Sequence, residues 1–307
     1  MFGLADDRGD VAGYTSSYPY TAMLFDETGC SAFLIGPTTA ITAAHCIFET
    51  FNYDEWELCD DPGSTRLDGE GVPYCVGGAE FKQYRAGVNS TNGVTPWLDW
   101  CSITFRTSYV NPDENSTNLE FASLDFAVID FSCNAAFDSA TGWLGMYIAS
   151  DLEIASQAVW NFGYPALAPC PVLSDGELIT EGVPCDLDNF QYTPVTYPGP
   201  YDGAEQWGMS QSLVTFGTTS PWVLTSQIDV TAGHSGSSLM MPFNSQWRTI
   251  AVTSNNDVPP TNNFFHRFQP NDYELISLAT GGRWPNEAGG CELAGPICEG
   301  VPASESF

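Results

Sequence analysis

Three residues from separate parts of the chain could together carry out acyl transfer. The chain has only three histidines, so any histidine chemistry must use His45, His234 or His266. His45 lies in ITAAHC, directly after a β-like run and at the start of a helical turn. Ser235 lies in AGHSGSSL, where flanking glycines favour a tight turn that exposes its hydroxyl. Such a turn can aim the backbone N–H groups of Gly233 and Ser235 at one developing oxyanion beside the nucleophile.

The acid that would orient the histidine comes from LDFAVIDF. Asp125 enters an otherwise apolar run, and a carboxylate buried there needs a hydrogen-bonding partner such as a histidine N–H. Taken alone, Asp125 could equally be a solvent-facing acid at a strand edge. Asp130 is the local competitor, but it lies towards the far end of the run, where exposure is easier. Taken alone, the histidine could also be structural, and the Gly/Ser turn could be an ordinary one.

Short apolar runs separated by turn residues must position these side chains. The chain contains 29 Gly and 21 Pro, which separate runs such as TAMLF, SAFLIG, DFAVIDF, QAVWNFGY and RTIAVT. Many short strands with turn signals between them predict an all-β barrel or sandwich. Helical patterns are confined to a short stretch after His45 and to NDYELISLA near the C-terminus.

Together the three sites resemble the trypsin/chymotrypsin-like serine protease superfamily. TAAHC looks like its histidine signature and LDFAVIDF like its acid segment. GHSGSSL looks like its nucleophile loop, in the G-x-S-G-S form of the glutamyl-endopeptidase branch. The order His, Asp, Ser along the chain matches that superfamily. Three further segments resemble this branch: YPYTAMLF…GCSAFLIGPTTAITAAHC, NFGYPA and SQIDVTAG. The resemblance covers about residues 15–280.

The resemblance implies an all-β fold of two six-stranded antiparallel β-barrels, with a short C-terminal helix and long loop insertions. Residues 1–145 would form the N-terminal barrel, with an insertion at about 49–100. Residues 146–280 would form the C-terminal barrel and the helix, with an insertion at about 166–203. Residues 281–307 would form a cysteine-containing tail. The site would lie in the cleft between the barrels.

The implied function is that of a secreted serine endopeptidase. Ser235 would attack the scissile carbonyl, His45 would transfer the proton, and Asp125 would hold the imidazole, while the N–H groups of Gly233 and Ser235 bind the oxyanion. No metal or organic cofactor is needed, and a monomer acting on proteins or peptides is expected. Activity should fall as the pH drops through about 6.5–7, where a histidine base becomes protonated. The alternatives are a catalytically inactive homologue that acts as a binding protein, and an esterase built on the same site.

Substrate selection is predicted to involve Asp229, Thr231, Thr253 and Ser254. In the trypsins, an acid at the position of Asp229, six residues before the serine, selects Arg or Lys. In the glutamyl-endopeptidase branch, selection of Glu depends on a His on the following strand, where RTIAVTSNN places Thr253 instead. His266 is expected to lie too far along the chain to serve. Cleavage after basic residues, cleavage after acidic residues, and an apolar or broad preference therefore all stay open.

Ten cysteines, an even and high number, indicate an oxidising compartment and a set of disulfides. No C-x-x-C pair is present, which argues against zinc. The resemblance implies Cys30–Cys46. Nearness in sequence suggests the other four pairs: Cys59–Cys75, Cys101–Cys133, Cys170–Cys185 and Cys291–Cys298.

The charge balance excludes two classes of partner. With 8 Lys and Arg against 38 Asp and Glu, the formal net charge is −30. Such a chain should repel nucleic-acid phosphates and anionic lipid surfaces. No stretch approaches the roughly 20 apolar residues that cross a bilayer as a helix. The sequence therefore predicts a protein that binds neither nucleic acid nor membrane.

Overall fold

The computed structural model describes the following residues: 9–10, 18–26, 30–47, 65–67, 73–75, 83–87, 93–106, 118–133, 141–164, 179–180, 183–184, 207–211, 221–226, 228, 230, 233–244, 246–256 and 263–284. Strands predominate among them, which confirms the predicted all-β class. None of the described helices has the length and apolar character that a membrane crossing requires.

The described strands, in chain order, are β1 Gly9–Asp10, β2 Met23–Asp26, β3 Ser31–Gly36, β4 Thr39–Thr42, β5 Thr65–Leu67, β6 Pro73–Cys75, β7 Gln83–Ala86, β8 Leu98–Asp99, β9 Ser102–Phe105, β10 Ala127–Asp130, β11 Gly145–Met146, β12 Val159–Gly163, β13 Ile179–Thr180, β14 Val183–Pro184, β15 Trp207–Gln211, β16 Val223–Ser226, β17 Ser238–Phe243, β18 Gln246–Asn256 and β19 Asn263–Arg267. The described α-helices are α1 Asn118–Leu124, α2 Asp151–Ala155 and α3 Pro270–Ala279, and two 3₁₀ turns cover Tyr20–Ala22 and Ala44–Cys46.

The first half of the chain forms a seven-stranded antiparallel sheet in the order β8-β7-β2-β3-β4-β10-β9. Strands β3 and β10 are buried along their whole length. Their near-continuous apolar sequences, SAFLIG and AVID, fit strands covered on both faces. Asp125 lies two residues before β10, and His45 lies three residues after β4, which pairs directly with β10. The pairing of these two strands therefore brings the acid segment next to the histidine turn.

The second half forms an eight-stranded sheet in the order β1-β15-β12-β17-β18-β19-β16, with β11 added in parallel to β18. Ser235 lies just before β17. Strand β1 belongs to this sheet because Gly9 and Asp10 pair with Gly208 and Trp207. The strands of the first sheet all lie within residues 23–130. Those of the second sheet lie within residues 145–267, apart from β1 at residues 9–10.

The predicted insertions contain more regular structure than long loops do. The stretch 49–100 includes β7 and β8, which are part of the first sheet, as well as a β5–β6 hairpin that pairs only with itself. Strand β7 alternates between half-buried and buried positions, so its sequence QYRA does not read as an apolar run. In the stretch 166–203, the described β13 and β14 pair only with each other.

The predicted C-terminal helix is α3. Proline at its first position and a capping box between Gln269 and Asp272 begin it. The helix packs against β9 and β10 of the first sheet, and Trp284, just beyond it, donates from Nε1 to the carbonyl oxygen of Ile35 at 3.0 Å. The chain therefore returns to the first sheet after the last strand of the second.

Two of the predicted disulfides are confirmed, Cys30–Cys46 and Cys101–Cys133. The side chains of the other three predicted pairs lie outside the described residues, so these pairs stay predictions: Cys59–Cys75, Cys170–Cys185 and Cys291–Cys298.

Candidate active site

The imidazole of His45 is held by the carboxylate of Asp125. Nδ1 of His45 lies 2.7 Å from Oδ2 of Asp125, and the backbone N–H of His45 donates to Oδ1 at 2.9 Å. The Asp125 residue is 2 % exposed, whereas the His45 side chain is 31 % exposed. The ring is therefore fixed on its Nδ1 side and still reachable from solvent.

A third group completes the surroundings of the Asp125 carboxylate. The hydroxyl of Ser254 donates to Oδ2 of Asp125. Burial would raise the pKa of Asp125, but the charge of His45 and the hydrogen bonds from His45 and Ser254 outweigh it, so the pKa lies below its ordinary value. Asp130 is engaged elsewhere, because Arg283 donates to its Oδ2 at 2.7 Å. Asp125, not Asp130, is therefore the carboxylate that contacts the histidine.

Ser235 lies on a tight loop that needs its glycines. Gly233 and Gly236 have φ values of +91° and +81°, a region that favours glycine. A Cβ on Gly236 would lie 2.1 Å from the carbonyl oxygen of Ser31 and 2.2 Å from Oγ1 of Thr42. The turn therefore packs directly on first-barrel strands.

Ser254 connects the serine and the acid. Oγ of Ser235 lies 3.5 Å from the carbonyl oxygen of Ser254, whose side chain is bonded to Asp125. The structure thus places Ser235 and the His45–Asp125 pair around one residue of β18. The sequence offered no signal for this contact, because Asp125 and Ser254 are 129 residues apart.

Ser31, in strand β3 of the first sheet, donates hydrogen bonds to the carbonyl groups of Gly233 and Ser235. Its N–H donates to the oxygen of Ser235 at 2.8 Å, and its hydroxyl donates to the oxygen of Gly233 at 2.7 Å. Among the backbone–backbone hydrogen bonds of the described loops and turns, neither the amide of Gly233 nor that of Ser235 acts as a donor.

Gly163 in NFGYPA allows β12 to approach this loop closely. A Cβ at that position would meet Cβ of Ser237 at 2.8 Å, Cδ2 of His234 at 2.9 Å and Oγ of Ser31 at 3.0 Å. The N–H of Tyr164 also donates to Oγ of Ser31 at 2.8 Å. His234 is buried in this contact.

The structure assigns other partners to two of the predicted substrate-binding side chains. Thr253 is 2 % exposed, and its Oγ1 accepts from Nδ2 of Asn161 at 2.9 Å and lies 2.7 Å from Oγ of Ser237. The hydroxyl of Ser254 is bonded to Asp125. Both hydroxyls are therefore hydrogen-bonded within the protein, and the part of these residues in substrate selection stays a prediction. Asp229 and Thr231 lie outside the described residues, so their part in selection stays a prediction.

A metal is not favoured at this site. Potential ligand atoms of Cys30, His45 and Cys46 lie within 4.8 Å of one another. The two cysteines form a disulfide, so neither sulfur is the thiolate that a metal would bind.

Comparisons with solved structures show the chymotrypsin-like double-barrel fold. A Glu endopeptidase solved in complex with MPD matches with a TM-score of 0.58 at 18% identity, covering 90% of this chain and 97% of its own. The protease Anisep from Arthrobacter nicotinovorans matches with a TM-score of 0.53 at 13% identity, covering 87% and 98%. A thermostable serine protease, AL20, from an extremophilic microorganism matches with a TM-score of 0.51 at 12% identity, covering 84% and 95%. No family model and no curated protein matches the sequence.

Proposed function

We propose that the protein is a secreted serine endopeptidase that uses Ser235, His45 and Asp125. The observation that carries the proposal is the buried Asp125 carboxylate, bonded to Nδ1 and the backbone N–H of His45 while the ring stays accessible. A buried carboxylate in that position holds one imidazole tautomer, with the proton on Nδ1 and the lone pair on Nε2. That tautomer is the one a serine nucleophile requires from its base.

In this mechanism Nε2 of His45 takes the proton of the Ser235 hydroxyl as Oγ attacks the scissile carbonyl carbon. The imidazolium then gives this proton to the leaving amine, which breaks the peptide bond and leaves an acyl-enzyme. Water repeats the two steps and releases the acid. The lowered pKa of Asp125 keeps the carboxylate ionised throughout, so it can stabilise the imidazolium.

The amides of Gly233 and Ser235 would stabilise the oxyanion that forms in each step. Donors fixed in advance act more strongly than mobile water, and removing one such donor elsewhere lowers kcat by about 10²–10³-fold. The bonds from Ser31 to the carbonyl groups of both residues support this role, because they restrain the loop before substrate arrives.

The two described disulfides support secretion, since such bonds persist in oxidising compartments. We propose that the substrates are proteins or peptides. We also propose that the enzyme is a monomer. Because the hydroxyls of Thr253 and Ser254 are hydrogen-bonded within the protein, Asp229 and Thr231 are the stronger candidates for selecting the residue before the cleaved bond.

The test is hydrolysis of an unfolded protein, together with labelling by a fluorophosphonate probe. We expect the wild-type protein to cleave and to label, and Ser235→Ala to fold normally, fail to label and cleave about 10⁶-fold more slowly. The exposed Ser156 offers a matched control, since Ser156→Ala should behave as wild type.

Two outcomes would replace the proposal. A wild-type protein that binds polypeptides but neither labels nor cleaves would be an inactive homologue. One that labels and hydrolyses simple esters, but leaves every peptide bond intact, would be an esterase.

A further inference from the structure

A second buried histidine–aspartate pair lies beside the segment that carries Asp125. His266 and Asp272 are both fully buried, and Nε2 of His266 lies 3.0 Å from Oδ2 of Asp272. Nδ1 of His266 lies 3.0 Å from the carbonyl oxygen of Ser123, two residues before Asp125. The ring also stacks on Phe126, one residue after Asp125, with centroids 5.1 Å apart.

Both ring nitrogens of His266 thus face oxygen atoms. The carbonyl oxygen of Ser123 and the carboxylate of Asp272 therefore fix the orientation of the ring from two sides.

Asp272 is itself held in place by two other groups. Arg106 donates to its Oδ1, and the N–H of Gln269 donates to its Oδ2 at 2.8 Å. Burial would raise the pKa of Asp272, but the charges of His266 and Arg106 and the hydrogen bonds from His266 and Gln269 outweigh it, so the pKa is lowered. The carboxylate is therefore ionised in the folded protein at neutral pH.

The members of this network come from different parts of the fold. His266 lies on β19 of the second sheet, Asp272 lies in α3, and Arg106 directly follows β9 of the first sheet. The network therefore joins the second barrel and the C-terminal helix to the residues on either side of Asp125.

Stability alone does not explain why His266 and Asp272 are buried as a polar pair. Apolar side chains of similar volume often replace a buried ion pair with no loss of stability. A phenyl ring at position 266 could retain the stacking on Phe126. What only a histidine adds is a directional contact with the backbone at Ser123, with the rotation of the ring fixed by Asp272.

We propose that His266, oriented by Asp272, is a positioning residue that holds segment 123–126 so that Asp125 meets His45 correctly. The proposal rests on the function proposed above, because it gives His266 a role in that site without contact with substrate. Its physical basis is the sensitivity of proton transfer to small displacements of the acid.

The experiment compares His266→Phe, which keeps an aromatic ring but loses both polar bonds, with the wild-type protein. Folding is checked by thermal unfolding, and kcat and KM are measured on a peptide substrate. The ¹H NMR resonance of the His45 Nδ1 proton reports its bond to Asp125 without requiring activity. We expect kcat to fall about 10- to 100-fold with KM nearly unchanged, and the Nδ1 resonance to move upfield or broaden.

Two further variants make the result specific. Asp272→Asn should reproduce both effects, and combining it with His266→Phe should add little, because the two residues act as one unit. Arg283→Gln is the matched control, since it removes an ion pair with Asp130 at the other end of β10, and it should change neither kcat nor the resonance. If His266→Phe does not fold, Asp272→Asn alone decides the question by the same two measurements.

An unchanged Nδ1 resonance and kcat in a folded variant would overturn the proposal and leave His266 with a purely structural role. A rise in KM alone would overturn it as well. If the wild-type protein proves inactive, the proposed function fails, but the NMR comparison still decides whether His266 positions Asp125.

Discussion

The carboxylate of Asp125 accepts hydrogen bonds from both halves of the molecule, from His45 in the first and from Ser254 in the second. A buried carboxylate with fewer donors would lose part of what keeps it charged. At the scale of single residues, Ser254 is therefore the side chain whose removal tests the role of Asp125 without changing Ser235, His45 or Asp125 itself.

We expect Ser254→Ala to lower kcat/KM roughly 10- to 100-fold, because a hydrogen bond to a charged group contributes about 1.5–3 kcal/mol. The measurement is steady-state hydrolysis of a peptide substrate. Ser132→Ala is the control, because it deletes a hydroxyl bonded to Asp130 at 2.8 Å instead. Full activity in Ser254→Ala would show that this bond does not support catalysis.

The lowered pKa values of Asp125 and Asp272 predict that the protein loses stability in acid. A carboxyl group whose pKa is lower in the folded state stabilises the protein above its unfolded value of about 3.9, and that contribution is lost as the pH falls through the folded value. Asp272→Asn removes one such group. We expect this variant to have a smaller free energy of unfolding at pH 7 and a smaller loss between pH 7 and pH 3.

Urea unfolding at the two pH values, at constant ionic strength, measures both quantities. Equal losses in wild type and variant would mean that the pKa of Asp272 is the same in the folded and unfolded states. Ser156→Ala, on the exposed end of α2, controls for the effect of substitution itself.

The nucleophile loop is the element on which the site depends most. Gly236 combines a positive φ with a contact that leaves no room for a side chain. A residue with a Cβ would strain the backbone and push the loop away from Ser31. Both effects would move Ser235, which lies next to this glycine.

We expect Gly236→Ala to lower the melting temperature strongly and to abolish activity. The φ strain alone costs about 1–3 kcal/mol, and the overlap with backbone atoms adds to it. Gly281→Ala is a matched control, because Gly281 has φ +58° but no atom within 4 Å of the added Cβ. It should show the strain without the overlap and keep its activity. Thermal unfolding and peptide hydrolysis of both variants would separate the two causes.

Elements with strong local patterns could be predicted from the sequence. SAFLIG and AVID are apolar except for Ser31 at the start of one and Asp130 at the end of the other, and the proline and capping residues of α3 mark its start. Helices α1 and α2 were missed because seven and five residues are too short for a clear periodicity. The capping box in α2, Ser150 with Glu153, was the one available signal.

The site was predictable in its residue types but not in its contacts. His45, Asp125 and Ser235 stand in recognisable local sequences, whereas Ser254 meets Asp125 only through the packing of two barrels. The direction of Thr253 was equally hidden, because its hydrogen-bonding partners Asn161 and Ser237 lie 92 and 16 residues away along the chain.

At the scale of the whole molecule, the net charge of −30 implies self-repulsion that salt can screen. Several of the few cations are engaged in ion pairs, Arg106 with Asp272, Arg267 with Asp151 and Arg283 with Asp130. We expect the melting temperature at pH 7 to rise between 10 mM and 500 mM NaCl, since screening weakens the repulsion among exposed carboxylates.

The same titration near pH 4, where many carboxylates are protonated, is the control and should show a much smaller rise. Differential scanning calorimetry gives both values. A melting temperature that fell with salt at pH 7 would mean that attractive ion pairs outweigh the repulsion.

The bonds from Ser31 to Gly233 and Ser235 also bear on when, during synthesis, the proposed proteolytic activity can begin. Ser31 and Gly233 are 202 residues apart, so Ser31 is synthesised long before the loop that it holds. Domains fold N-terminal first as the chain emerges from the ribosome. The first half, with His45 and Asp125, is therefore present for some time before Ser235 has been synthesised. If the proposed function holds, hydrolysis therefore begins only after the two halves have docked, and incomplete chains cannot cleave one another.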